Sequence, residues 1–357
     1  MKEKILSIKN RDKLIQGLRE KGFRVYGPRE SEGIILFGEI QSSSDLPPQY
    51  TNSAHSIKEF FLPPHEPLLS YEVRKEGIKT LPLDQYPIPS VLYGVRPCDA
   101  AYLPIIDKVF AWEEKDELYL ARREKTLVIC LACEEPDEAC FCASLGYSPA
   151  GKEGCDIVLT PLDDKRLFAE FVSEKGERLL AEFPDLWEEI RPDDEKRRAE
   201  VEKEARGKIR RQVEMEGIKK WLDEHFEDPL WEEISRRCIG CGACYYLCPT
   251  CHCFDIVDEG NLWRGIRRRI WDTCSFGRFT QMPAHQPRGS QDRRYRQRIM
   301  HKFKYYVDRF GPIACVGCGR CIEVCPVGID LTEILAKIKE RVTASAKGGV
   351  ENHASHL

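Results

Sequence analysis

The chain has 357 residues, 42% apolar and 32% charged, enough for two or three domains with a buried core. Its formal net charge of −4 gives the whole chain no electrostatic case for nucleic acid or membrane binding. No run of 18 apolar residues occurs, so no bilayer-spanning helix is expected, and the charged start MKEKILSIKNRDKLIQ lacks the apolar stretch of a signal peptide. Seventeen cysteines stand out. Without an export signal a disulfide framework is not expected, and in a reducing cytoplasm so many thiols point to metal.

Residues 1–185 read as an α/β domain. Asn10 is the expected cap of a helix running through Leu14, Ile15 and Leu18 to a stop at Gly22. The short apolar runs Ile34–Phe37, Val91–Tyr93, Leu127–Cys130 and Ile157–Leu159 read as buried strands, and Ala100–Phe110 is apolar at helical spacing. Residues 186–225 are dense in charge of both signs and read as a solvated helical linker, with partner docking as the alternative. Residues 226–342 read as an α-helical two-cluster ferredoxin domain. It opens at the helix-start pair Asp228–Pro229 and closes on a helix capped by Asp330 and Glu333, with Leu331, Ile334, Leu335 and Ile338 on one face. The polar tail 343–357 is expected to be disordered.

One internal repeat carries the chemistry. Cys238–Pro249 and Cys315–Pro326 both read C-x2-C-x2-C-x3-C-P. Three closely spaced thiolates wrap one corner of an iron–sulfur cube, and the fourth, before proline, ligates the other cluster in two-cluster ferredoxins. The expected sets are Cys238, Cys241, Cys244 and Cys325 for one [4Fe–4S] cluster, and Cys315, Cys318, Cys321 and Cys248 for the other. Zinc sites use paired knuckles totalling four ligands, which fits eight cysteines in this pattern poorly. Cys251, Cys253 and Cys274 fall outside the motifs and read as buried thiols beside the clusters.

Between the motifs, Arg264 to Arg309 holds eleven Arg and two Lys against three Asp. Nucleic-acid binding is the alternative. The preferred reading is that these cations offset the negative charge of thiolate-ligated clusters. Upstream, Cys98 follows one expected strand, and Cys133, Cys140 and Cys142 follow the next. Loops at the ends of neighbouring parallel strands converge, so these four are candidates for a third [4Fe–4S] site, with buried structural thiols as the alternative. No G-x-G-x-x-G and no G-x-x-x-x-G-K-[ST] occurs, so nicotinamide chemistry is expected in another subunit.

The blocks SRRCIGCGACYYLCPTCHCFDIVDE, RRIWDTCSF, DRRYRQRIMHKFKYYVDRFG and CVGCGRCIEVCPVGID resemble one family, as do KEFFLPPHEPLLSY, GVRPCDA and CFCASLG in the first half. It is the iron–sulfur β subunit of soluble NAD(P)-linked nickel–iron hydrogenases, also called sulfhydrogenases or sulfur reductases. The A subunit of anaerobic sulfite reductase is similar in the same blocks. The resemblance implies a cytoplasmic electron-transfer subunit between a flavin subunit handling NAD(P)H, which would bind FAD, and a catalytic subunit handling hydrogen, polysulfide or sulfite. Subunits of heterodisulfide-reductase-linked complexes are the further alternative. It also implies Cys98, Cys133, Cys140 and Cys142 as the third cluster set, over Cys130 and Cys155. The family often has Cys where this chain has Asp137, and a small-Gly-Pro ending where it has Tyr147, Ser148 and Pro149.

Overall fold

The computed structural model describes residues 2–82 and 87–351. The chain divides into two compact units that interleave in sequence. One comprises residues up to 136, 148–208 and 251–272; the other comprises 137–147, 209–250 and 273 onward. This differs from the consecutive blocks 1–185, 186–225 and 226–342 read from the sequence. The charged stretch 186–225 divides near residue 208, and a piece lying between the two motifs joins the first unit.

The strands are β1 (Lys2–Ser7), β2 (Arg24–Ser31), β3 (Ile34–Glu39), β4 (His65–Arg74), β5 (Gly77–Pro82), β6 (Ser90–Val95), β7 (Thr126–Leu131), β8 (Ile157–Asp163), β9 (Arg166–Phe171), β10 (Trp187–Glu188), β11 (Phe254–Gly260) and β12 (Arg264–Trp271), all in the first unit. Eight form a sheet in the order β10-β1-β9-β8-β7-β6-β2-β3. Its centre, β2-β6-β7-β8, is parallel, and its flanks are antiparallel. Parallel strands are covered on both faces, which is why β6 and β7 read as unbroken apolar runs. Leu14, Ile15 and Leu18 of the helix Ile8–Glu20 join Val25, Val91 and Ile129 in its core. The cap of that helix is Ser7, whose side chain accepts from Asn10 N at 3.2 Å, whereas the Asn10 amide donates to Leu186 O at 2.9 Å. The expected cap, Asn10, is thus displaced. Ser7 takes the role because β1 runs directly into the helix, leaving Ser7 as the last extended residue.

Four strands form a second, antiparallel sheet, β11-β12-β4-β5. The hairpin β11–β12 comes from the basic stretch, and most of its charge is paired. Arg267 meets Asp258 at 2.7 Å, Arg268 meets Glu259 at 2.7 Å, and buried Arg269 meets Glu66 and Asp116.

The second unit is helical. Leu230–Ser235 starts where Asp228 Oδ1 accepts from Leu230 N at 2.8 Å, and Leu331–Glu351 starts where Asp330 Oδ1 accepts from Thr332 N at 2.7 Å. Leu331, Ile334, Leu335 and Ile338 pack with Trp221, Trp231, Ile299 and Phe303. The chain stays helical to Glu351, past Thr343, where a disordered tail was expected; residues 352–357 lie outside the described residues.

Candidate iron–sulfur centre

Both motif loops lie in the helical unit and share one local shape. Each contains a single helical turn, Ala243–Tyr246 in the first and Arg320–Glu323 in the second. Two glycines of the second loop face the segment Asp137–Tyr147. Gly317 has φ +65 and Gly319 φ +79, and a Cβ on them would stand 2.6 Å from the Cys142 backbone and 2.7 Å from that of Ala139. Only glycine combines that backbone with that approach. Phe141 N donates to Gly317 O at 2.9 Å, so the segment is laid along the loop.

Cys238, Cys241, Cys244 and Cys325 line one cavity. Cys248, Cys315, Cys318 and Cys321 line a second. The fourth cysteine of each motif thus lines the cavity of the other motif's triplet. Arg298 and Cys321 line both cavities, which are therefore neighbours. A set of four thiols around each cavity, with no nitrogen or carboxylate ligand required, suits an iron–sulfur cube.

The surroundings supply donors and positive charge. Gln291 Nε2 donates to Cys238 Sγ at 3.1 Å, and Ile329 N to Cys325 Sγ at 3.2 Å. Lys302 Nζ donates to Cys248 Sγ at 3.1 Å. Burial pushes the Cys315 thiol up to about 11, with Lys302 acting against the rise. Burial likewise pushes Cys321 up to about 12 and raises Cys244, and at both Arg298 opposes it. Desolvation therefore disfavours bare thiolates here, and the buried cations partly restore them. Sequence reasoning placed cations near the clusters but did not single out Arg298, Lys302 or Gln291. The available signal was spacing: Arg298 and Lys302 are four apart, beside the apolar row Tyr295, Ile299 and Phe303 that packs in the core.

The third candidate set divides between the units. Cys98 lies in the helix Pro97–Ala101 after β6, and Cys133 follows the adjacent parallel strand β7, both in the first unit. Arg96 ties these strand ends together, donating to Leu131 O at 3.2 Å and Ala132 O at 2.8 Å. Burial raises the Cys133 thiol, and the Arg96 charge opposes it. Cys140 and Cys142 are buried in the second unit. Cys130 and Cys155 are joined by a disulfide with a Cα–Cα distance of 6.0 Å, a pairing that nothing in their spacing foretells. Of the remaining cysteines, Cys251 and Cys253 belong to the first unit and Cys274 to the second. Cys251 and Cys274 are buried, and Cys253 is half-buried.

The cysteine-lined cavities mark a ferredoxin-type domain in the C-terminal part of the chain, and the model of a 4Fe-4S dicluster domain matches residues 237–329. The chain is also 32% identical over 329 residues, covering 90% of itself and 94% of the relative, to sulfhydrogenase 2 subunit beta of Pyrococcus furiosus. It belongs to the family of sulfhydrogenase β subunits.

Proposed function

We propose that this chain is the electron-transfer subunit of a cytoplasmic hydrogenase or sulfur-reductase complex. It relays electrons between a flavin subunit that oxidises or reduces NAD(P) and a catalytic subunit. The observation that carries this is the pair of neighbouring cysteine-lined cavities, one holding Cys238, Cys241, Cys244 and Cys325 and the other Cys248, Cys315, Cys318 and Cys321, with Arg298 and Cys321 common to both. Cys238, Cys241, Cys244 and Cys325 would hold one [4Fe–4S] cluster, and Cys315, Cys318, Cys321 and Cys248 the other. Bound there, the clusters supply one-electron transfer at low potential. The protein's part is to hold them as neighbours, keep water from the second cavity and place positive charge where the reduced state needs it. Cys98, Cys133, Cys140 and Cys142 are proposed to hold a third cluster, on the strength of the family resemblance and the placing of Cys98 and Cys133 at adjacent strand ends.

Strictly anaerobic purification of the complex from its native host, with iron and sulfide analysis, tests this reading. It predicts a flavoprotein and a nickel–iron hydrogenase pair alongside the chain, and about twelve irons on the chain. About eight irons would remove the third cluster and leave the relay. Co-purification of a sirohaem protein would replace the hydrogenase partner by a sulfite reductase, and a chain emerging alone with its clusters would contradict the relay role.

A further inference from the structure

Lys302 is 1% exposed and sits in a π-helical turn, His301–Tyr305, that follows the helix Gln291–Met300. Single π turns inside helices recur at functional sites, because they re-aim a side chain. This one directs the ammonium at a cluster ligand. Nζ donates to Cys248 Sγ at 3.1 Å, Thr250 Oγ1 at 2.9 Å and Ala314 O at 3.1 Å. Thr250 Oγ1 also donates to Ala314 O at 2.6 Å, and Ala314 N donates to Lys302 O at 2.9 Å. The charge is fixed in place by a closed set of bonds.

Among the described residues, the hydrogen bonds that reach sulfur at the other cavity come from neutral groups, the Gln291 amide and the Ile329 N–H. Arg298 lines both cavities and acts on both, so it does not distinguish them. Among the described residues, the second site therefore has a buried positive charge bonded to a ligand sulfur, Lys302 on Cys248, that has no counterpart at the first. Reduction adds one negative charge to a cluster. A fixed cation in a low-dielectric interior stabilises that added charge more than a neutral dipole does. Cys241, exposed at the rim of the first cavity, admits solvent there and works in the opposite sense. Cys238, Cys244 and Cys325 of that set are half-buried, against Cys321 alone in the other, which adds to the same effect. A full charge in direct contact with a ligand sulfur outweighs this partial exposure.

We propose that Lys302 makes the site of Cys315, Cys318, Cys321 and Cys248 the more oxidising of the pair, so that an electron shared between them rests there. The proposal rests on the two-cluster reading. One electron from a low-potential donor enters the pair and no proton need follow. Lys302 is a positioning and tuning residue, not a catalytic one.

The test is an anaerobic redox titration of the cluster-loaded full chain, reduced with dithionite and followed by electron paramagnetic resonance, for wild type, Lys302→Gln and Lys302→Arg. Iron analysis first establishes that both clusters are present; fewer than eight irons in wild type contradicts the two-cluster reading itself, whatever the potentials. With both present, Lys302→Gln is expected to lower the midpoint of the first-reduced cluster of the pair. The reduced-to-oxidised ratio at fixed potential should fall at least tenfold, which is about 59 mV for a one-electron couple. The other cluster should hold its value, and Lys302→Arg should stay near wild type. An unchanged titration, or a shift confined to the later-reduced cluster, overturns the proposal. Should Lys302→Gln lose iron, wild-type chain carrying 15N-lysine decides the matter. Pulsed resonance is then expected to find 15N coupling on the first-reduced cluster of the pair, and coupling on the other alone overturns the proposal.

Discussion

Arg298 and Lys302 are 3% and 1% exposed, and a buried cation costs several kcal/mol unless it is compensated. Thiolates of the two cysteine sets are the natural compensation, so cations and thiols stabilise one another's charged forms. Arg298 also lies over the Tyr245 ring at 4.9 Å, which helps to hold its plane between the cavities. A second electrostatic feature concerns Asp137, which meets Glu323 in the helical turn within the second motif. Burial and then the Asp137 carboxylate push Glu323 up to about 7. An acid whose folded pKa is raised contributes stability that is complete below its unfolded value of 4.5 and is lost as pH rises through about 7. Glu323→Gln removes the repulsion without removing the hydrogen-bonding shape. The variant should match wild type in thermal unfolding at pH 4.5 and exceed it at pH 8. An equal difference at both pH values would show that the carboxyl pair is not the cause.

The hairpin β11–β12 shows what was and was not legible in the sequence at the scale of elements. Its arginines stand out as a basic stretch, yet neither strand reads as an apolar run or a clean alternation, and β12 joins β4 from the distant first third of the chain. Strand pairing across such a separation leaves no local signal, which is why residues 251–272 read as part of the helical domain. The compact runs β6, β7 and β8 were legible because burial on the sheet shows directly as apolar residues between breakers. The run Ile34–Phe37 does form β3, but not the buried strand expected: β3 is the edge of the sheet, and Ile34 and Leu36 are exposed. The eight motif cysteines were legible because four ligands around one cluster demand fixed local spacing, while the cations facing them arrive from a helix with no motif of its own. On the hairpin, two arginines of one strand make a direct comparison. Arg269 is 3% exposed and pairs with buried Glu66, whereas the Arg267–Asp258 pair is half-exposed. Arg269→Ala strands buried charge and should cost about 3 kcal/mol in chemical denaturation. Arg267→Ala should cost no more than about 1 kcal/mol. Similar losses for both would mean that Arg269 does not hold the hairpin to the sheet.

For the whole molecule, the two units carry different duties. The helical unit gathers both motif loops, the segment Asp137–Tyr147 and the buried cations around two adjacent cavities. The sheet unit presents Cys98 and Cys133 at adjacent strand ends, where open α/β sheets place their sites. Among the described residues no helix is long and apolar enough to cross a membrane. A chain organised in this way is suited to conducting electrons within an assembly, and its performance is set by spacing, insulation and potential. Rapid freeze-quench electron paramagnetic resonance of the intact complex, mixed anaerobically with NAD(P)H, tests that most directly. Reduced-cluster signals from this chain should appear before the catalytic product and at a rate at least equal to turnover. Clusters that stay oxidised while the complex turns over would contradict the relay.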